Sequence, residues 1–396
     1  MNHLKKTSEK IFISILVSLL SLSTVSYAND NVDKYSKSSI LIDQDTNRVL
    51  YQKEADTKRP LASLSKMMTF LIAIEAIDNK EVSAEDIIEI DKHIASIRGS
   101  SYKLKEGEKI PLKELMKGLM IVSGNDAAVA ISKHISKDED EFVKRMNQKS
   151  KEIGMFSTNF VNPHGLPIYD LDNPQKPPKE NISTARDISL LAKYMLDNYE
   201  KEVIAITDMQ TYSYPQRGFE KNNTNPLLSI IPEVDGIKTG YTGNAGYCLS
   251  FSMKTNKDKE NDKENRFIGV VLGTNHKQKR LETSLALLKY GKNNFNTKKL
   301  ISKDTLIGKK YIKGLDELEI ILKTQDDFYA VVGKDEEIYV QTTFKEIKYP
   351  IQKGEVLGVL KYYTKSGEIL GTTEIISAND ITETSIKTKI KMIFSD

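Results

Sequence analysis

Three short clusters of chemically useful residues lie in order along this chain: Ser63-Leu64-Ser65-Lys66, Ser123-Gly124-Asn125 and Lys238-Thr239-Gly240. A serine hydroxyl is a weak nucleophile until a base takes its proton. Residues at i and i+3 share a helix face, so Lys66 can reach back to Ser63. A lysine serves as that base when burial or a neighbouring cation lowers its pKa. In the second cluster, Ser123 offers a proton relay to a leaving nitrogen, and the Asn125 amide can bond a peptide carbonyl or Lys66. In the third, Lys238 adds positive charge that helps keep Lys66 neutral. Thr239 can hold a carboxylate, and Gly240 lets an extended ligand lie close against a strand edge. Alone each motif is common. S-x-x-K recurs at Ser100-Ser101-Tyr102-Lys103, and Lys365-Ser366-Gly367 varies the third as a plain hairpin turn. The ordered set is what points to acyl transfer.

The elements that must carry these groups are legible in the hydrophobic pattern. Leu64, Met67, Met68, Leu71 and Ile74 recur at helical spacing, which predicts a helix over 62–77 that begins at the first cluster. There the helix N-terminus places positive partial charge beside a developing anion. Residues 120–135 read as two helical stretches broken at Ser123-Gly124-Asn125, and 183–195 as a helix capped near Ser183 or Thr184. Residues 234–253 read as strand, which puts Lys238-Thr239-Gly240 on a strand. A charged loop over 255–266 leads to a strand at 267–272 and a closing helix over 280–295. Ile40 to Tyr51 reads as a hairpin turning at Asp45-Thr46-Asn47.

The chain has 396 residues, 39% apolar and 29% charged, enough for two packed domains. Lys5, Lys6 and Lys10 precede an apolar run from Ile11 to Leu22, followed by Ser26-Tyr27-Ala28. This is the pattern of a secretory signal peptide over 1–28, too short for a comfortable membrane span. Its removal takes away three Lys and one Glu, so a net charge of +3 falls to +1 (3 − 3 + 1). That weak balance argues against nucleic acid as a partner. The five histidines show no zinc-ligand spacing, so no metal or other cofactor is expected. Cys248 is the one cysteine, which excludes an intrachain disulfide; its apolar and Gly neighbours predict a buried thiol. After a catalytic domain over 29–296, short β-rich runs predict a small β domain over 297–381. In the tail, 382–396, Ile386, Ile390, Ile393 and Phe394 share a helical face beside Lys387 and Lys391. That segment reads equally as an amphipathic helix on a membrane surface or as a frayed tail or alternating strand.

Pro60-Leu61-Ala62-Ser63-Leu64-Ser65-Lys66-Met67-Met68-Thr69 closely resembles the nucleophile motif of low-molecular-mass penicillin-binding proteins, the serine D-alanyl-D-alanine carboxypeptidases. The segments 121–128, 162–166, 183–187, 223–228 and 235–246 match that family too, and the resemblance runs from about 35 to 380. It implies an α/β (α+β) catalytic domain of the penicillin-binding and β-lactamase type, with helices around a central antiparallel sheet, and a small all-β C-terminal domain. It also implies roles. Ser63, with Lys66 and Ser123, would attack the penultimate D-alanine carbonyl of a peptidoglycan stem peptide. Asn125, Lys238, Thr239 and Gly240 would bind the substrate. The backbone N–H groups of Ser63 and Tyr241 would hold the oxyanion. β-Lactams would acylate Ser63 as covalent inhibitors.

Pro167 stands where many relatives carry a charged or polar residue, which puts the loop beyond Gly165-Leu166 in question. His164 is expected to pair with Asp187 and brace that loop. Ser100 and Ser101, which the resemblance sets beside the groove, read as ligand contacts or as a polar turn. A serine β-lactamase shares the three motifs but needs a deacylating carboxylate that no motif here supplies. A D,D-endopeptidase acting on cross-links would use the same three clusters. An inert wall-binding protein would not need them intact, and here every side chain of the set is present.

Overall fold

The computed structural model describes residues 32–255, 263–312, 315–347 and 350–381. The expected signal peptide, the amphipathic tail and residues 256–262 of the charged loop lie outside the described residues. A five-stranded antiparallel sheet is built from β1 (Ser38–Asp43), β2 (Val49–Lys53), β3 (Val234–Thr242), β4 (Gly246–Lys254) and β5 (Arg266–Thr274), in the order β2-β1-β5-β4-β3. The β1–β2 turn closes where expected: the Asp43 carboxylate takes the Thr46 N–H at 2.9 Å, and Asn47 adopts the left-handed conformation its short side chain tolerates.

Successive strand residues point to opposite faces, and this sheet is covered on both. Ile40, Ile42, Ile268, Val270 and Leu272 join one apolar cluster, while Leu41, Phe267 and Val271 join another. The first cluster is filled by α1 (Lys66–Asp78), α2 (Leu112–Met120), α3 (Asn125–Ser136), α4 (Glu139–Ile153) and α5 (Ala185–Thr207). The second is closed by α6 (Lys277–Asn294) through Leu287 and Leu288. Every residue of α1 from Lys66 to Ala76 is buried, as a helix apolar on all sides must be. Thr184 caps α5 through the Asp187 N–H. Beyond the expected end at 195 the chain stays helical but is kinked at Tyr199, and Leu196, Val203 and Thr207 keep it packed.

From Phe295 onward the described chain is all strand: β6 (Phe295–Ile301), β7 (Leu306–Ile312), β8 (Leu315–Thr324), β9 (Phe328–Gly333), β10 (Ile338–Phe344), β11 (Val356–Thr364) and β12 (Ile369–Ser377). They form a five-stranded sheet, β7-β8-β12-β11-β10, and the pair β6-β9. Lys365-Ser366-Gly367 is the β11–β12 turn, with Gly367 at φ 87° and its N–H on the Thr364 carbonyl. The two regions meet at Arg48, next to β2. Its side chain is 3% exposed. It donates to both oxygens of Glu336, to Glu368 and to the Val331 carbonyl.

Removing one partner of such a pair strands the other charge. Arg48→Ala is expected to lower unfolding stability by about 3 kcal/mol in chemical denaturation, with penicillin acylation by the folded protein unchanged.

Candidate active site

Ser63 does not lie inside α1. It sits in a 3₁₀ turn, Ala62–Ser65, from which the helix continues at Lys66. Side chains at i and i+3 eclipse in a 3₁₀ turn, and Lys66 Nζ lies 2.9 Å from Ser63 Oγ. Entry to the turn requires Ala62 at φ 47°, a left-handed conformation uncommon outside glycine. Ser65 Oγ is committed to the Ala62 carbonyl at 2.8 Å. Its hydroxyl is thereby held within its own turn.

Lys66 is fully buried. Burial first, and then the cation of Lys238, hold its pKa well below the ordinary lysine value, while the Asp126 carboxylate pulls the other way. Besides Ser63, its amine meets Asn125 Oδ1 at 2.7 Å and the His164 carbonyl at 2.9 Å. The Asn125 amide is oriented by its other end, which donates to the Arg98 carbonyl at 2.7 Å. Ser123, at φ 64°, turns the chain between α2 and α3, and its hydroxyl makes no hydrogen bond to another described residue.

The third cluster lies on β3. Lys238 is 1% exposed, and burial together with the Arg280 cation pushes its pKa down to about 7. A Cβ on Gly240 would lie 3.2 Å from the Ser63 backbone nitrogen, so β3 runs directly beside the 3₁₀ turn. Thr239 Oγ1 donates to Thr224 Oγ1 at 2.7 Å, and the Thr224 N–H bonds the Ile121 carbonyl at the end of α2. Asn225 donates to the Gly236 carbonyl. The segment 223–225 therefore ties the strand to the second cluster. Tyr241 is 55% exposed, its ring stacked on Tyr247 with centroids 4.2 Å apart.

Two stretches of the chain match known families. Residues 24–276 match the family model of the D-alanyl-D-alanine carboxypeptidases. The chain belongs to that family. Residues 295–383 match the C-terminal domain of penicillin-binding protein 5. The chain is 34% identical to D-alanyl-D-alanine carboxypeptidase DacF of Bacillus subtilis, over 91% of its own length and 90% of that protein's. Its fold is similar to the crystal structure of penicillin-binding protein 5 from Haemophilus influenzae, with TM-score 0.71, 27% identity, and 88% and 98% of the two chains covered. Penicillin-binding protein D2 of Listeria monocytogenes, solved with cefotaxime bound, aligns at TM-score 0.56 and 29% identity, covering 64% of this chain and 96% of that one. The activity is that of a serine-type D-alanyl-D-alanine carboxypeptidase, and the protein is penicillin-binding.

In this carboxypeptidase two site features escaped the sequence. The His164 carbonyl is a backbone atom, invisible to a search of side-chain types. Arg280, in the first turns of α6, is a buried guanidinium whose Nε has no hydrogen-bond partner. Its Nη1 reaches the Cys248 carbonyl at 3.4 Å. Only the β4–α6 packing brings it beside Lys238. Cys248 itself is a buried thiol, as expected.

The expected His164–Asp187 pair does not form. Asp187 accepts from the Ser157 N–H and the Thr158 hydroxyl, while His164 Nδ1 accepts from the Leu166 N–H. Burial and the nearby Lys66 push the His164 pKa down to about 3, so the ring has no charge to offer a carboxylate. The loop is braced instead by Asn162, whose Oδ1 takes the Gly165 N–H at 2.6 Å and whose amide donates to the Leu166 carbonyl. After Pro167, the Ile168 and Lys179 backbones pair with each other across an exposed loop. Gly165 sits at φ 89°, where a Cβ would fall 1.9 Å from the Ala62 carbonyl.

Gly165→Ala is therefore expected to cost at least about 2 kcal/mol of stability. It should also slow penicillin acylation by tenfold or more, because displacing the turn misplaces Ser63. Thermal melts and labelling rates on purified protein check both.

Proposed function

We propose that Ser63 is the nucleophile and neutral Lys66 its general base, removing the terminal D-alanine of a peptidoglycan stem peptide through an acyl-enzyme. The observation that carries this reading is the environment of one amine. A neutral lysine has two N–H groups and one lone pair. Asn125 Oδ1 and the His164 carbonyl are pure acceptors and use both N–H groups. The lone pair is left for the Ser63 hydroxyl at 2.9 Å. As Ser63 attacks the penultimate D-alanine carbonyl, its proton passes to Lys66, and the oxyanion forms between the N–H groups of Ser63 and Tyr241. The terminal D-alanine leaves as an amine protonated through Ser123. Water then hydrolyses the ester. Thr239, Lys238 and Arg280 supply hydrogen bonds and charge for the substrate carboxylate, and Gly240 admits its backbone beside β3. Asn125 holds both Lys66 and a substrate amide.

The same reading extends to location. The basic, apolar and small-residue pattern over 1–28 supports export across the cytoplasmic membrane, with domains over 29–296 and 297–381. The amphipathic pattern of 382–396 supports peripheral contact with the outer side of that membrane. No described helix is long and apolar enough to cross a membrane.

Ser63→Ala is expected to abolish both release of free D-alanine from a pentapeptide and covalent labelling by a fluorescent penicillin. Labelling that survives would assign another nucleophile. Comparing pentapeptide with cross-linked dimer as substrate separates carboxypeptidase from endopeptidase preference.

Acylation should rise with pH through the pKa of Lys66, since only the neutral amine accepts a proton. Lys238 lowers that pKa by charge repulsion. Lys238→Gln should therefore move the acid limb of the acylation-rate profile to higher pH, in addition to weakening binding.

A further inference from the structure

Next to Asn125 lies a carboxylate that none of the three motifs includes. Asp126 is 1% exposed and has no ion-pair partner among the described residues. It accepts four hydrogen bonds. Oδ1 takes the N–H groups of Tyr102 at 2.8 Å and Ala127 at 2.9 Å. Oδ2 takes the Ser101 hydroxyl at 2.7 Å and the Leu104 N–H at 3.1 Å. Three of the four donors belong to the segment 98–104. That segment touches the site through two carbonyls. The Arg98 carbonyl accepts from Asn125 Nδ2, and the Ser100 carbonyl accepts from the Asn125 N–H at 2.8 Å.

We propose that Asp126 is a positioning residue for acylation: its carboxylate clasps the segment 98–104 so that the Arg98 carbonyl keeps Asn125 Oδ1 turned toward Lys66. The inference rests on the reading of Lys66 as general base. The surroundings are shaped for this clasp. Gly99, at φ 87°, would put a Cβ 2.7 Å from Asn125 Nδ2, and Gly124 would put one 2.7 Å from Asp126 Oδ1. Two glycines thus clear the space that the clasp occupies. Beyond it, Tyr102 is already anchored. Its hydroxyl bonds Tyr212 at 2.5 Å, Tyr212 bonds Glu114, and Arg217 stacks over the Tyr102 ring at 4.3 Å. Asp126 adds the bonds to Ser101, Tyr102 and Leu104 that hold the chain between this anchor and the Arg98 carbonyl.

The residue type follows from the donors. All four partners donate, and a carboxylate is acceptor-only. An asparagine in its place would turn an N–H toward donors on one side. The charge acts as well. The charged groups facing the Lys66 amine are Lys238 on β3 and Asp126 on α3; His164 on the facing loop is neutral, and Ser63, Ser123 and Asn125 carry no charge. Arg98 is exposed. Among the described residues, Asp126 is thus the one anion opposing Lys238 at the base. This charge adds a second readout that a purely structural carboxylate far from Lys66 would not move.

The test compares wild type, Asp126→Asn, Asp126→Glu and Ser101→Ala by the acylation rate constant with a fluorescent penicillin across pH, alongside pre-acylation affinity and thermal melts. Asp126→Asn is expected to lower the plateau rate at least about tenfold with affinity kept, and to move the acid limb to lower pH. Asp126→Glu keeps the charge but not the geometry, so it should slow acylation and leave the limb in place. Ser101→Ala loosens one bond of the clasp and should slow acylation less, again with the limb in place. A wild-type plateau or an unmoved limb in folded Asp126→Asn overturns the proposal. If that variant does not fold, wild-type acylation by Ser101→Ala overturns it, and slowed acylation at kept affinity supports it. A wild-type enzyme with no acid limb would instead overturn the assignment of Lys66 as base, and the inference with it.

Discussion

The fold of the catalytic domain is organised around one lysine, Lys66, buried where its charged form is disfavoured. A buried amine loses the hydration that favours its ammonium form, and Lys66 lies in a helix buried on every side. A second buried lysine, Lys238, adds repulsion from the facing strand, and is itself pushed toward neutrality by burial and by Arg280. Three basic side chains, Lys66, Lys238 and Arg280, crowd one region with few anions to offset them. Such an arrangement costs stability. It persists because the surrounding core is extensive: the sheet is packed on both faces, and the segments that frame the site are held by many buried hydrogen bonds.

Backbone conformation carries a second share of that cost. Ala62 and Ser123, at φ 47° and 64°, are left-handed without being glycine. Each stands at the entry to a site element, one before Ser63 and one before Asn125. Left-handed backbone at such residues costs on the order of 1–3 kcal/mol and persists only where the neighbourhood over-determines it. The neighbourhood here includes Gly165, which lets its loop close over the Ala62 carbonyl and deliver the His164 carbonyl to Lys66. The Ser63 turn, the loop and the Lys66 amine therefore form one mechanical unit, not three neighbouring features.

The C-terminal β domain is joined to the catalytic domain through the β1–β2 corner and the apolar cluster under α6. Arg48 ties the β1–β2 corner to Val331, Glu336 and Glu368, and Phe295 and Val331 extend the apolar cluster beneath α6. The contact combines a buried ion pair with apolar packing. A desolvated ion pair contributes less to net stability than to a defined geometry, and the apolar cluster supplies attraction that depends on area.

By itself, the sequence determined the residue types of the site, their order, and the elements that carry them. A hydroxyl and an amine at i and i+3 imply one face, and periodicity distinguishes the helical stretches expected at 62–77 and 120–135 from the strand expected at 234–253 because apolar burial follows local geometry. The two-domain division and the β character after Phe295 were legible for the same reason. Tertiary structure decided what periodicity does not encode. The 3₁₀ turn at Ser63, the His164 carbonyl on Lys66, the partners of Asp187 and the approach of Arg280 to Lys238 all depend on segments far apart in the chain. Backbone carbonyls carry no sequence signature, and His164 resembled a partner for Asp187 only by type. Local pattern reports which faces are buried; which buried groups then touch is settled by how the faces pack.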